Sequence, residues 1–353
     1  MDKTKRLEQL YAKIKNGVVD MPWERLIDIH AEMYEILYGL KFDGKTFFSS
    51  TDELLTKCPQ IVMQFQKVAA SRGGQLNQDD AQELTRILVQ YNYVQAGKKD
   101  FYVYSDLVPM LRDTDLLEIP PKELKFPFEA FSIIFKKGTI RGRGAPMDRI
   151  FVSCADGDIL SGFLASDNYN GAPIFLSRLW DDTTLPEMAK AYAEVAPTVK
   201  GYSDLKRQSA RDAMYLLFNL LTYINCENAD VQRDNSQAEA IKKKLAAFNG
   251  SKKKTRKQKV LEQELHKARK HHIYLVGKSV RADKFYDVTP TDEGRKILKR
   301  FRVRGHFRNQ PYGPERSLVK RRWIKPFWKG PDLAELINSG YVVKESTSGV
   351  KED

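Results

Sequence analysis

The stretch that most restricts how this chain can fold is an apolar run near its middle, at residues 213–224. It forms the second half of a predicted helix from about Ser203 to Cys226, and its apolar side chains cover almost the whole circumference of that helix. A helix of this kind is buried on several sides, and twelve residues are too few to span a membrane. We therefore expect a central helix packed against a sheet inside a globular protein.

The sequence on either side of this helix predicts two kinds of structure. Up to residue 100, apolar residues recur at helical spacing, and Ser50 and Asn77 mark the starts of two of the helices. Short runs rich in aromatic and β-branched residues then predict strands. These runs lie at residues 101–104, 130–135, 149–154 and 159–164. The predicted fold class is α+β, with an N-terminal helical region, a central mostly antiparallel sheet packed on the buried helix, and a basic C-terminal β-hairpin.

Positive charge is concentrated in one part of the chain. The formal net charge is +13, yet residues 241–330 hold 28 Lys and Arg against 7 Asp and Glu, a net of +21 that leaves −8 for the rest. A mildly acidic body with one strongly basic region predicts contact with a polyanion through that region. A membrane surface is disfavoured because the basic segments are not amphipathic helices with a broad apolar face.

Composition divides the chain into five regions. We predict a helical region (1–100), an α+β core (101–240), a basic flexible insertion or helix (241–270), a basic hairpin region that completes the core (271–330) and a polar tail (331–353). The N-terminal residues lack the apolar centre of a signal peptide, and no apolar run approaches the length of a membrane span. We therefore expect the protein in the cytoplasm.

Cysteine and histidine spacing predicts neither a metal nor a cofactor. Cys58, Cys154 and Cys226 are far apart and form no CxxC pair, so buried thiols explain them best. Four of the five histidines fall between residues 266 and 306. No acidic or cysteine partners at coordinating spacing are apparent beside them, and a metal cluster would need such partners.

The most specific functional signal is the segment from Phe301 to Lys329. Apolar and cationic residues alternate from Phe301 to Arg308, which predicts a strand with one apolar and one cationic face. A turn-rich segment at 309–314 precedes a second run, residues 318–329, with two tryptophans and five Lys or Arg. Cations interleaved with aromatic rings suit RNA or single-stranded DNA, whose phosphates and bases are both accessible.

We predict that this hairpin binds nucleic acid. Cations on one face of a strand would lie about 6–7 Å apart, close to the phosphate spacing of a single strand. The predicted nucleic-acid-binding residues are Arg302, Arg304, His306, Arg308, Arg322, Lys325, Trp323 and Trp328. An edge strand can also carry Lys and Arg only to prevent aggregation, and this alternative stays open.

The same segment contains the residue types of a metal-independent ribonuclease. Such an enzyme needs a base for the 2′-hydroxyl, an acid for the leaving oxygen and a cation for the developing charge. The candidate catalytic residues are His306, Tyr312 and Arg304, with Arg308 as an alternative cation. Whether the protein is an enzyme stays open, since binding alone or recruitment of a host nuclease would need fewer groups. A third alternative is a protein-interaction inhibitor that docks an acidic partner, or a nascent peptide along a sheet edge.

Several short motifs resemble, in the same order, those of one family. They are the apolar helix ending in residues 226–230, the strand 273–277 followed by Val280-Arg281, the Arg304-Gly305-His306 core, and the tryptophan-containing strand after it. Over roughly residues 125–330 the chain resembles a family of phages and mobile elements that includes a type V-A anti-CRISPR protein.

This resemblance implies an anti-defence or regulatory factor. Such a factor lowers a CRISPR nuclease by clearing its messenger RNA while the nuclease is being translated. The implied partners are RNA or a ribosome-associated nascent chain, and a host or CRISPR protein, in the cytoplasm of a bacterial host. The N-terminal helices show no such resemblance, so the identity of the target does not carry over.

Overall fold

The structure of the protein is a computed structural model. It describes residues 2–17, 23–74, 77–142, 145–155, 159–165, 173–178, 183–195, 204–248, 255–281 and 301–329. The predicted tail over 331–353 lies outside these residues, so its organisation stays a prediction.

Within the described part of the N-terminal region, the chain forms five helices. They are α1 (Lys3–Gly17), α2 (Trp23–Tyr38), α3 (Thr51–Lys57), α4 (Pro59–Ser71) and α5 (Gln78–Gln95). The predicted starts at Ser50 and Asn77 are confirmed. Ser50 accepts a hydrogen bond from the Glu53 amide, and Asn77 and Asp80 cap one another reciprocally. Pro59 is the first residue of α4, a position where proline is favoured because its missing N–H would have no partner within the helix.

The described strands follow in the rest of the chain. They are β1 (Lys99–Val103), β2 (Ala130–Ile134), β3 (Ile140–Gly142), β4 (Ala145–Met147), β5 (Arg149–Ser153), β6 (Ile159–Ala165), β7 (Pro173–Arg178), β8 (Val231–Asp234), β9 (His272–Val276), β10 (Phe301–Val303), β11 (His306–Tyr312), β12 (Leu318–Ile324) and β13 (Phe327–Lys329). Seven of them form one sheet in the order β7-β6-β5-β2-β1-β9-β8. The strand expected at 273–277 is β9, and it lies inside the sheet between β1 and β8.

The sheet is mixed, with its parallel pairings at the centre. Strand β1 runs parallel to both β2 and β9, whereas the four other neighbouring pairs are antiparallel. The predicted, mostly antiparallel sheet is therefore confirmed. The parallel pairs bring Asp100 of β1 beside Ser132 of β2 and Ile273 of β9.

Helices cover both faces of this sheet. The later helices are α6 (Leu107–Arg112), α7 (Leu185–Val195), α8 (Asp204–Ile224), α9 (Ser236–Ala246) and α10 (Arg256–Lys270). Helix α8 is the predicted central helix, and its Leu217 and Leu221 are buried in one cluster with Phe131 and Ile150 of the sheet. On the other face, Tyr93 of α5 packs edge-on against Phe151. No described helix is long and apolar enough to cross a membrane.

Candidate nucleic-acid interface

The segment from Phe301 to Lys329 folds as a hairpin in two paired sections. Strand β10 pairs with β13 at its base, and β11 pairs with β12 further out. Both sections have the same register, because two residues separate Val303 from His306 on one strand and Ile324 from Phe327 on the other. The predicted hairpin is thus present, but its first strand is interrupted at Arg304-Gly305 and is not continuous as expected.

Gly305 explains the interruption. Its backbone turns aside to the loop after α6, where its N–H donates to the Asp113 carbonyl at 2.9 Å and its own carbonyl accepts from the Asp115 amide at 2.8 Å. A Cβ atom on Gly305 would lie 2.3 Å from Thr114 Oγ1 and 2.9 Å from Pro326 Cδ. Only glycine allows so close an approach, so this residue fastens the hairpin to the protein body.

The inner face of the hairpin, which includes Phe307 and Trp323, packs on the core. Phe307 and Trp323 are directly opposite one another and only 9% and 6% exposed. The Trp323 indole N–H donates to Thr114 Oγ1 at 3.1 Å, and its ring meets Tyr223 of α8 edge-on at 5.0 Å. Trp323 therefore belongs to the core and not to the predicted stacking surface, because its alternation places it on the apolar side of the strand.

The backbone of Trp323 is also fixed, by two hydrogen bonds to the Asn228 side chain. Asn228, just after α8, accepts a hydrogen bond from the Trp323 amide at 2.9 Å and donates one to its carbonyl at 2.8 Å. These two bonds satisfy the edge of β12 from outside the hairpin. The sequence motif around residues 226–230 thus serves the hairpin directly.

The outer face of the hairpin carries the cations. Cross-strand partners share a face, and the burial pattern alternates from Phe301 to Arg308 as predicted. From base to tip, the outer face consists of Arg302 opposite Trp328, then Arg304, His306 opposite Ile324, Arg308 opposite Arg322, Gln310 opposite Lys320, and Tyr312 opposite Leu318. Lys325 is exposed at the interruption.

Carboxylates engage the cations at the base of this outer face. Arg302 lies 2.8 Å from Asp113 Oδ2, and Arg304 lies 2.9 Å from Asp115 Oδ1. Partial burial raises the pKa of Asp113 despite the positive charges of Arg302 and Arg304. The two arginines nearest the protein body are therefore already neutralised in part.

Further out along the hairpin, the arginines have fewer carboxylate partners. Glu227 binds Lys320 at 2.6 Å and reaches Arg322 only at 3.8 Å. In the part of the chain that the structure describes, the Arg308 side chain has no ion pair or hydrogen bond, although Arg322 stands directly opposite it. Like charges directly opposite one another are unfavourable, and a bound anion would relieve the repulsion.

The structure separates the three candidate catalytic residues. His306 and Tyr312 lie six residues apart on one strand, which corresponds to roughly 20 Å. A base and an acid for one phosphodiester must both reach it by hydrogen bond. His306 Nδ1 is 3.4 Å from the Arg304 carbonyl, and within the described residues no carboxylate orients its ring. The hairpin as it stands therefore does not assemble the predicted catalytic set.

A second cluster of titratable residues was missed by sequence reasoning. Asp100 is 1% exposed and accepts hydrogen bonds from Tyr93 at 2.6 Å and from Ser132. His271 Nε2 lies 2.7 Å and Arg149 Nη1 3.7 Å from its carboxylate. Burial alone would raise the pKa of Asp100, but the His271 hydrogen bond and the Arg149 charge outweigh it and the pKa is lowered.

This buried cluster could not be read from spacing, since Asp100 and His271 are 171 residues apart. The one available signal was a charged residue at the start of an otherwise apolar strand. His271 also lines a cavity of about 840 Å³ between the N-terminal helices and the α9–α10 pair. Its ring thus lies between the buried Asp100 and this cavity.

These features define an α+β protein with a mixed sheet, whose cationic hairpin is fastened to the loop after α6 and to the segment after α8. The chain belongs to the anti-CRISPR type V subtype A2 family, because the family's AcrVA2-like model matches residues 101–330. The predicted family resemblance is confirmed, and the protein is an anti-defence protein. The matched residues include α8, β9 and the whole hairpin.

Two further comparisons complete this picture. Among solved structures, the chain is similar to one titled the crystal structure of AcrVA2, at 12% sequence identity and a TM-score of 0.43. That match covers 92% of this chain and 98% of the other. No curated protein matches the chain.

Proposed function

We propose that the outer face of the hairpin binds RNA, and that the protein lowers expression of its CRISPR target through this contact. The observation that carries the proposal is the pair formed by the exposed Arg308 and the half-buried Arg322, which are directly opposite one another and poorly matched by carboxylates. Such a pair is stabilised when each of the two guanidinium groups binds a phosphate.

RNA fits this face better than an acidic protein surface does. Basic side chains recur at alternate positions of the outer face: His306 and Arg308 lie on β11, and Lys320 of β12 lies opposite Gln310, the next outer-face residue. Alternate positions lie about 6–7 Å apart, which suits the regular repeat of phosphates along a strand. The expression-lowering part of the proposal is supported by the chain's membership of an anti-CRISPR family.

The proposal is tested by titrating a fluorescently labelled RNA over a series of salt concentrations. We expect the Arg308→Ala/Arg322→Ala variant to bind at least tenfold more weakly at low salt. The slope of log affinity against log salt should fall by about 1.4, since each lost phosphate contact on a single strand contributes about 0.7. The matched control is Lys5→Ala/Lys67→Ala, which removes two exposed charges from α1 and α4 and should change neither quantity.

Each alternative function gives a different result. Affinity that does not change between low and high salt would contradict RNA binding. A co-purified protein that survives nuclease treatment and is lost in the double variant would favour the protein-interaction alternative. Cleavage of RNA in the presence of chelator, abolished by His306→Ala, would establish a ribonuclease. In cells, we expect the double variant to leave the target transcript at its uninhibited level.

A further inference from the structure

The outer end of the hairpin extends beyond the protein body. On the inner face, Phe307 is 9% exposed, whereas Val319 further out is 62% exposed. Tyr312 and Leu318, the last pair on the outer face, are 42% and 50% exposed. Three large apolar side chains thus stand in solvent at the tip, which we define as residues 312–319. Folding alone does not account for them, because the core is complete without them.

The turn that closes the tip has a fixed shape. Gly313 has φ +80°, and Glu315 and Arg316 have φ +50° and +56°. The left-handed region is unfavourable for Glu315 and Arg316, because it brings Cβ too close to the following carbonyl oxygen. Two backbone bonds hold the turn, from Arg316 to Gly313 at 3.2 Å and from Ser317 to Pro314 at 3.1 Å. Tyr312 and Leu318 are therefore presented on a preorganised turn.

The tip lies in line with the cationic pair. Tyr312 is four residues beyond Arg308 on the same face of β11, a distance of about 13 Å. The Lys320 ammonium sits 5.0 Å from the centre of the Tyr312 ring, a cation–π contact that also supplies a charge beside the ring. The separation is two alternate-residue steps of a β-strand, each about 6–7 Å, and each step is close to the phosphate spacing along a single nucleic-acid strand. It therefore corresponds to two nucleotides.

We propose that the tip is a platform for an unpaired base, which stacks on Tyr312 and contacts Leu318 while the phosphates of the same strand lie on Arg308 and Arg322. This inference rests on the proposed RNA binding and names the class of RNA, which is single-stranded RNA with unstacked bases. A duplex would offer phosphates to the arginines, but its bases are already stacked and paired and cannot reach the tip.

The test compares the wild type with Tyr312→Ala, Tyr312→Phe and Arg308→Ala/Arg322→Ala. Each protein is measured on one single-stranded RNA and on the same RNA made abasic. Tyr312→Ala should weaken binding of the intact RNA roughly tenfold, within the range of base–aromatic stacking, and should leave the salt slope unchanged because no phosphate contact is lost. Tyr312→Phe should bind like the wild type. On abasic RNA, the wild type and Tyr312→Ala should bind equally. Because the Tyr312 ring is exposed, circular dichroism should show unchanged folding.

The outcomes separate the tip from the rest of the surface. Wild-type affinity in Tyr312→Ala, together with weak binding in Arg308→Ala/Arg322→Ala, would overturn the platform and leave the proposed RNA binding intact. An equal loss on intact and abasic RNA would also overturn it. If Tyr312→Ala instead lost a nuclease-resistant protein partner, the tip would be a protein contact and the proposal would fail. If Arg308→Ala/Arg322→Ala kept the affinity and the salt slope of the wild type, that result would contradict the proposed function itself.

Discussion

The hairpin and the buried Asp100 cluster combine the same chemical groups in opposite environments. Arg302 and Arg304 on the hairpin are 46% and 41% exposed in their ion pairs, whereas Arg149 and Asp100 are 7% and 1% exposed. An exposed pair contributes little to stability and exchanges partners easily. A buried carboxylate depends on every partner it has. The first arrangement suits binding, and the second holds the fold together.

The two histidines show the same contrast. His306, the predicted catalytic residue, is exposed on the hairpin, and its nearest polar contact is a backbone carbonyl at 3.4 Å. His271, which the sequence did not single out, is oriented by a buried carboxylate at 2.7 Å. A side chain that contacts a phosphate needs exposure more than orientation, so the position of His306 favours binding over proton transfer.

The largest effect should come from Asp100→Asn. The change keeps the shape of the side chain but removes the negative charge beside Arg149 and His271. Breaking a buried ion pair from one side costs about 3–5 kcal/mol. We expect a loss of that order in the free energy of unfolding, measured by urea denaturation followed by circular dichroism.

The pH dependence sharpens this prediction. Because the pKa of folded Asp100 is lowered, its contribution to stability is fully present above the unfolded pKa, about 3.9, and is lost as the pH falls through the folded pKa. Stability of the wild type should therefore drop more steeply in acid than that of Asp100→Asn. Parallel acid limbs for the two proteins would show that folding does not lower the pKa of Asp100.

Gly305→Ala should have an intermediate effect, at the point where hairpin and body meet. The added methyl group would collide with Thr114 Oγ1, which also accepts the Trp323 indole bond. Overpacking of this kind costs about 1–3 kcal/mol, and a displaced hairpin should also bind RNA more weakly. Asn309→Ala, at an exposed position of β11, is the control and should retain both stability and binding.

An unfolding midpoint for Gly305→Ala equal to that of the wild type would show that the loop after α6 moves to make room. In that case Gly305 would not be the residue that fastens the hairpin. The same denaturation experiment, followed by tryptophan fluorescence, reports on the site because Trp323 lies beside Thr114.

Local patterns in the sequence predicted much of this fold. The all-round apolar character of residues 213–224 predicted the central helix, and the alternation from Phe301 to Arg308 predicted which hairpin side chains face solvent. Those features depend on near neighbours in the chain. The interruption of the hairpin strand at Gly305 and the position of Trp323 depend on Thr114, some 200 residues away in the chain. The Asp100 cluster depends on a parallel pairing that brings β1 beside β9. Long-range contacts of this kind leave no periodic signal.

The smallest effect on stability, and the most informative one for binding, should come from Asp115→Asn. Asp115 is 59% exposed in its pair with Arg304, so its loss should change the free energy of unfolding by less than about 1 kcal/mol. Arg304, released from the carboxylate, would be free to contact a phosphate. RNA affinity at low salt should then rise a few-fold, and the salt slope should steepen by about 0.7. Asp115→Asn thus applies to the exposed cluster the same change that Asp100→Asn applies to the buried one. Unchanged or weaker binding would place Arg304 outside the RNA surface and confine that surface to Arg308, Arg322 and the tip.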